Sequence, residues 1–68
     1  MPRHYVNKNA QTNGDHEVHQ SGCSWLPKEE NRIYLGIFSD CKGAVKEAKK
    51  QLKQVNGCFY CSRDCHTS

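Results

Sequence analysis

The 68-residue chain lacks any long hydrophobic run. Residues 1–8 are too polar to act as a signal peptide or to span a membrane. We therefore expect a cytoplasmic protein with no membrane partner. Repeats, linkers and low-complexity tracts are lacking as well. The sequence thus predicts one small domain over 1–68, with an ordered core of about 4–62 and a C-terminal tail at 63–68.

Apolar residues are scarce and make up 35% of the chain. A domain of this size buries too little apolar surface to be comfortably stable without a cross-link. Five cysteines can supply one, as disulfides or as a metal site. An odd cysteine count fits a disulfide framework poorly, and a reducing cytoplasm disfavours disulfides. The sequence therefore favours a metal site.

Two pairs of metal-ligand residues stand far apart in the sequence. His19 and Cys23 form an H-x3-C pair, and Cys58 and Cys61 form a C-x2-C pair. Structural zinc binds four nitrogen and sulfur donors in a tetrahedron, and the amides of a C-x2-C turn can hydrogen-bond the thiolates. These four residues are thus predicted to hold one structural zinc ion. The competing interpretation is that they are ordinary buried thiols and a surface histidine.

The role of His16 is left open, because it competes with His19 as a metal ligand. The string from His16 to His19 is one residue too short for the helical metalloprotease motif, and it has the pattern of a strand. Metalloprotease chemistry is therefore not expected.

The remaining cysteines have several interpretations. Cys41 is expected to be a small core residue, because free cysteine packs as a hydrophobe. Cys65 and His66 can be a tail held against the domain, an alternative ligand pair, or a thiol near Cys41. The segment from Cys61 to His66 does not match the haem-attachment motif. An iron–sulfur cluster on Cys58, Cys61 and Cys65 lacks an evident fourth ligand.

The expected fold is α+β, a small antiparallel sheet of two or three strands with one helix, closed by a zinc site. Strand-forming residues occur at 5–6, 16–19 and 33–38. The Asn13-Gly14 turn predicts that the first two strands form a hairpin. Gly36 is expected at a bulge or at a close backbone approach.

The helix is expected to begin after a cap at Ser39 or Asp40 and to end at Asn56-Gly57. Apolar residues recur along this segment at helical spacing and predict one buried face. That face consists of Cys41, Ala44, Val45, Ala48, Leu52 and Val55.

Five lysines lie mostly on the other side of the predicted helix: Lys42, Lys46, Lys49, Lys50 and Lys53. We call them the lysine stripe. Such a stripe can contact the phosphates of nucleic acid, and the net charge of +3 permits this. A solvated helix face has the same composition. Arginines and aromatic residues are not interleaved with the stripe, so the solvated face is the favoured interpretation.

The order of these segments resembles a known metal-binding domain. A strand, a ligand-x3-Cys pair, a strand, the helix "KGAVKEAKK" and Gly-Cys-x-x-Cys follow one another between Tyr5 and Cys61. This arrangement is similar to the zinc-binding domain of the bacterial Ada DNA-repair methyltransferase and to small modules like it. The chain also resembles short bacterial proteins sharing "YVNKNAQ", "GDHEVH", "LP", "NRIYLG" and "GCFYCSRDCH", a likeness that implies no known activity.

The resemblance to the Ada domain implies the same ligand set, His19, Cys23, Cys58 and Cys61. In the repair domain the first ligand is a cysteine that accepts a methyl group from a DNA phosphotriester. Here that position holds His19, and an imidazole is not a thiolate nucleophile, so methyl transfer is not expected. The Arg-Pro that often precedes the C-x2-C is Asn56-Gly57 here, which weakens the expectation of DNA binding.

The sequence thus predicts a monomeric, non-catalytic, structural zinc-binding module for macromolecular interaction, and it does not identify the partner. One alternative is a nucleic-acid-binding module that uses the lysine stripe. A second alternative is a thiol-redox protein that uses Cys58 and Cys61.

Overall fold

The computed structural model describes residues 1–67, so Ser68, at the end of the predicted tail, lies outside the described residues. The helices and strands are β1 (Arg3–Asn7), β2 (His16–Gln20), β3 (Arg32–Ile37), α1 (Cys41–Lys49) and β4 (Val55–Gly57), with 3-10 turns at Glu29–Asn31 and Arg63–Cys65. Within residues 1–67, no helix is long and apolar enough to cross a membrane.

The four strands form one sheet in the order β3-β1-β2-β4. β1 pairs antiparallel with both β2 and β3, whereas β4 pairs parallel with β2. The α+β class and the predicted hairpin are therefore confirmed. The expectation of two or three antiparallel strands is wrong, because the sheet has a fourth strand and is mixed.

The helix is shorter than the sequence predicted. Asp40 caps its start, since the Asp40 carboxylate accepts a hydrogen bond of 2.9 Å from the backbone amide of Lys42. The helix ends at Lys49, and Val55 already belongs to β4. Leu52 and Val55 nevertheless pack against the core. Their spacing is compatible with a helix, but it arises because both side chains are turned toward the core. A turn at Leu52 and a short strand at Val55 bury them there without a helix.

The core lies between α1 and one face of the sheet. Its buried residues are Val6, Val18, Leu35, Ala44 and Ala48. Side chains alternate between the two faces of a strand, so Val6 and Val18 face the helix while Tyr5 and His19 face the other side. We call that other side the open face, because α1 does not cover it.

The predicted irregularity at Gly36 is present. The pairing of β1 with β3 shifts between His4, which lies opposite Gly36, and Tyr5, which lies opposite Tyr34. Leu35 is the extra residue of this bulge. The shift keeps Tyr34 on the open face while Leu35 remains in the core.

Cys41 is buried as expected, but it is not a free thiol. It forms a disulfide with Cys65, which ties the start of α1 to the C-terminal tail. The tail is further held by Nδ1 of His66, which donates a 3.0 Å hydrogen bond to the Gly57 carbonyl. The structure therefore favours a tail held against the domain, with Cys65 bonded to Cys41.

Candidate metal centre

Four side chains meet at the carboxyl ends of β2 and β4. The ligand atoms of His19, Cys23, Cys58 and Cys61 all lie within 4.8 Å of one another. Nδ1 of His19 is 3.7 Å from Sγ of Cys23 and 3.8 Å from Sγ of Cys61. The sulfurs of Cys23 and Cys58 are 4.0 Å apart. This group could hold one metal ion, and it is the set that the sequence predicted.

β2 and the turn after it position the first pair of ligands. His19 is the penultimate residue of β2, and its side chain is 2% exposed. The backbone then reverses, with Gly22 at φ 89°, a conformation that favours glycine. The amide of Cys23 donates a 3.2 Å hydrogen bond to the carbonyl of Gln20, which returns Cys23 toward His19.

β4 positions the second pair. Because β4 runs parallel to β2, with Gly57 opposite Val18, the carboxyl ends of the two strands lie at the same edge of the sheet. Cys58 follows directly, and its amide donates a 2.9 Å hydrogen bond to the carbonyl of Val18. The predicted helix ran to Asn56-Gly57, directly before Cys58, and would have positioned these cysteines from its end. A short parallel strand does so instead.

Gly57 is required where the tail crosses β4. A Cβ on Gly57 would lie 2.6 Å from both the Ser62 carbonyl oxygen and Cβ of Cys65. Glycine therefore permits the close approach of the segment that carries Cys61 and Cys65.

Glu17 lies beside the metal-ligand group and was not among the predicted site residues. Its carboxylate oxygen Oε1 lies 3.9 Å from Nε2 of His19, on the side of the ring opposite the ligand atom Nδ1. Metal-bound histidines commonly direct their second nitrogen toward a carboxylate or carbonyl, which orients the ring. The sequence could have indicated this residue, because Glu17 and His19 are two positions apart in a predicted strand and therefore share a face.

Burial controls protonation at this group. It lowers the pKa of His19, which favours the neutral imidazole that binds metals. Burial raises the pKa of Cys58, opposed in part by the backbone amides of Cys61 and Tyr60. Burial also raises the pKa of Cys61 to about 12, together with a hydrogen bond to Cys23. A metal ion would reverse the shifts at the thiols by stabilising the thiolates.

The other candidate ligands lie elsewhere. Nδ1 of His16 donates a 2.9 Å hydrogen bond to the carbonyl of Asn7, and His16 is not part of the group. Cys65 is bonded to Cys41 and cannot bind a metal in this form. An iron–sulfur cluster on Cys58, Cys61 and Cys65 is therefore not supported.

The metal-ligand group borders an aromatic groove. A depression of about 430 Å³ is lined in part by His19, Cys58, Trp25 and Tyr60. The Trp25 and Tyr60 rings stack at 5.3 Å between centroids, and both are exposed. His19 and Cys58 are buried and Cys23 and Cys61 are partly exposed, so the ligand group lies beside aromatic side chains that can contact a partner.

The lysine stripe is exposed along its length but is not one helical face. Lys42, Lys46 and Lys49 belong to α1, whereas Lys50 follows as its C-cap and Lys53 lies beyond it. Lys50 forms an ion pair of 3.2 Å with Glu47. All five lysines are solvent-exposed, as expected for a solvated surface.

Comparisons with models of protein families, with curated proteins and with solved structures each find no match to the chain.

Proposed function

We propose that this protein is a structural zinc-binding module for macromolecular interaction, with no catalytic activity of its own. The observation that carries the proposal is the convergence of four ligand atoms within 4.8 Å, from residues up to 42 positions apart in the sequence. Three thiolates and one imidazole form a common ligand set of structural zinc.

The distances between ligand atoms support zinc. With Zn–S near 2.3 Å and Zn–N near 2.0 Å, a tetrahedral site separates two sulfurs by about 3.8 Å and a sulfur from a nitrogen by about 3.6 Å. The Cys23–Cys58 separation of 4.0 Å and the His19–Cys23 and His19–Cys61 separations of 3.7 and 3.8 Å differ from these values by a few tenths of an ångström. The remaining pairs lie within 4.8 Å. His19 and Cys23, Cys58 and Cys61 would hold the ion, which would supply the cross-link that a domain of this size needs.

The protonation of the thiols argues against the redox alternative. Reactive redox cysteines have a lowered pKa, because the thiolate is the nucleophile. The pKa of Cys58 and that of Cys61 are both raised by burial. The disulfide of the chain joins Cys41 and Cys65 and leaves both members of the C-x2-C pair reduced.

We further propose that the module is related to the Ada metal-binding domain and works in the cytoplasm. His19 at the first ligand position removes the methyl-accepting thiolate, so a binding role without methyl transfer follows. In a reducing cytoplasm Cys41 and Cys65 would be thiols. Neither residue belongs to the proposed ligand set, so metal binding does not depend on their disulfide.

Metal analysis of protein purified without added metal tests the proposal. Elemental analysis and native mass spectrometry are expected to find one zinc ion per chain. His19→Gln should lose the zinc, whereas His16→Gln, a matched change three residues away, should keep it. A protein that stays fully folded with excess chelator, or that carries iron in place of zinc, would refute the proposal.

A further inference from the structure

The open face of the sheet carries a group of aromatic and cationic side chains. Tyr5 of β1 and Tyr34 of β3 are register partners, so their side chains lie on the same face. Their ring centroids are 5.4 Å apart. Arg3 and Arg32 lie at alternate positions on the same two strands and therefore share that face. We call these four residues the Tyr–Arg platform.

The platform lines a shallow pocket of about 360 Å³ that also includes Glu29. The guanidinium carbon of Arg32 lies 4.6 Å from the centroid of the Tyr5 ring, and Nη1 of Arg32 donates a 3.1 Å hydrogen bond to the carbonyl of Pro27. These contacts hold Arg32 and Tyr5 in place. The Tyr34 side chain is 52% exposed, so its ring is accessible beside them.

The charge of the pocket is positive, because Arg3 and Arg32 outnumber Glu29. Arg3 is exposed at the start of β1. The exposed Arg3, the partly exposed Arg32 and the exposed ring of Tyr34 match a ligand that alternates phosphates with flat bases.

The positions of the arginines also favour a ligand that combines phosphates with flat bases. The chain has three arginines, and each lies next to an aromatic ring or lines a pocket with one. Arg63 lies 5.1 Å from the centre of the Phe59 ring, close to the metal-ligand turn. The helix has no arginines or aromatic residues interleaved with the lysine stripe. In the structure the arginines and aromatic rings lie together on the open face of the sheet and near the Cys58–Cys61 turn.

We propose that the open face binds single-stranded nucleic acid, with a base stacked on Tyr34 and backbone phosphates at Arg3 and Arg32. The inference names a partner for the proposed interaction module and rests on that proposed function. A single strand is favoured over a duplex because bases expose their faces to aromatic side chains only when they are unstacked. A proline-rich peptide would use the rings but has no phosphate for the arginines.

A second pair of rings extends the same surface. His19 is the register partner of Tyr5, so the metal-ligand group lies beside the platform on the open face. Beyond it, Trp25 and Tyr60 are 61% and 67% exposed. A strand bound at Tyr34 can continue across β2 toward these rings.

Fluorescence anisotropy tests the proposal with the zinc-loaded full chain and labelled 15-nucleotide strands of mixed sequence, as DNA and as RNA. Tyr34→Leu removes the aromatic face and should weaken binding about tenfold. Tyr34→Phe keeps a ring and should bind like the native protein. Arg3→Gln should lower the slope of log affinity against log salt by about 0.7 for each phosphate that the arginine neutralises.

Two further variants locate the binding surface. Glu29→Gln removes the carboxylate from the pocket and should tighten binding a few-fold. Replacing Lys46, Lys49 and Lys53 together by Gln changes the other side of the molecule and should leave most of the single-strand affinity and its dependence on Tyr34 intact. Binding of either DNA or RNA supports the proposal, and the tighter ligand identifies the preferred sugar.

Zinc content and circular dichroism of each sample keep this test separate from that of the metal. The inference is overturned if a folded, zinc-loaded protein does not bind single strands at low salt. It is also overturned if Tyr34→Leu binds like Tyr34→Phe, if a duplex or a proline-rich peptide binds more tightly, or if only the lysine changes abolish binding. A folded protein without zinc would refute the proposed function instead.

Discussion

Tyr5 and His19 lie directly opposite each other on β1 and β2, so one sheet surface carries both an aromatic platform and a metal ligand. The helix packs on the other surface through Val6 and Val18. Because residues two apart share a face, Glu17 lies on the His19 side as well. The ligand group and the proposed binding residues therefore depend on the same strand alternation.

Loss of one buried thiol should remove the metal and unfold the domain. We expect Cys58→Ser to abolish zinc binding and to lower the free energy of unfolding by several kcal/mol, because metal-binding energy is folding energy in such a domain. The fluorescence of Trp25, which lines the groove beside His19 and Cys58, reports the loss. Cys65→Ser is the control and should keep the zinc. Metal loss in that variant would show that the site depends on Cys65, either as a ligand or through its disulfide with Cys41.

The carboxylate of Glu17 should strengthen metal binding by orienting His19. Glu17→Gln removes the negative charge 3.9 Å from Nε2 and is expected to weaken zinc affinity about tenfold, without removing a ligand. Competition against a chromophoric chelator measures the change. Glu30→Gln, at an exposed position in the Glu29–Asn31 turn, is the matched control and should leave the affinity unchanged. Equal affinities in the two variants would show that Glu17 has no part in the site.

Zinc affinity should rise with pH. The pKa of Cys58 and that of Cys61 are raised, so both thiols are protonated near neutral pH and each loses a proton on binding. The pKa of His19 is lowered, so its imidazole is already neutral there. These two thiols contribute about two log units of apparent affinity per pH unit between about pH 6 and 8. Chelator competition across that range, with calorimetry in two buffers to count protons, provides the measurement. An affinity that does not change with pH would contradict it.

The Cys41–Cys65 disulfide should add stability without affecting the metal. Closing a loop with a sequence separation of 24 is worth about 3.5 kcal/mol in the chain-entropy account. Under oxidising conditions Cys41→Ala should therefore lose about that much in urea unfolding. With reductant, only a packing cost of about 1 kcal/mol should remain between native and variant protein. Zinc content should be the same in all four samples, and a decrease on reduction would show that the disulfide supports the site.

Features that depend on residues close together in the chain could be predicted from the sequence. The H-x3-C and C-x2-C spacings identify His19, Cys23, Cys58 and Cys61, because short turns bring such pairs to one point wherever the chain goes next. Asp40 was one of two predicted caps, since capping involves the residues that follow at once. The hairpin between β1 and β2 and the bulge at Gly36 were also predicted from local residue preferences.

The way in which the strands, the helix and the two ligand pairs come together could not be predicted, because it depends on long-range contacts. β4 has only three residues, and Val55 becomes a strand because it pairs with the edge of β2, not because of its own sequence pattern. The same pairing ends the helix early and brings Cys58 beside His19. Arg3 and Arg32 reach the Tyr5–Tyr34 pair only through the register of β1 and β3. The sequence of a single short segment says little about long-range strand pairing, because a segment's preference for the strand conformation depends on its partner strand and on burial.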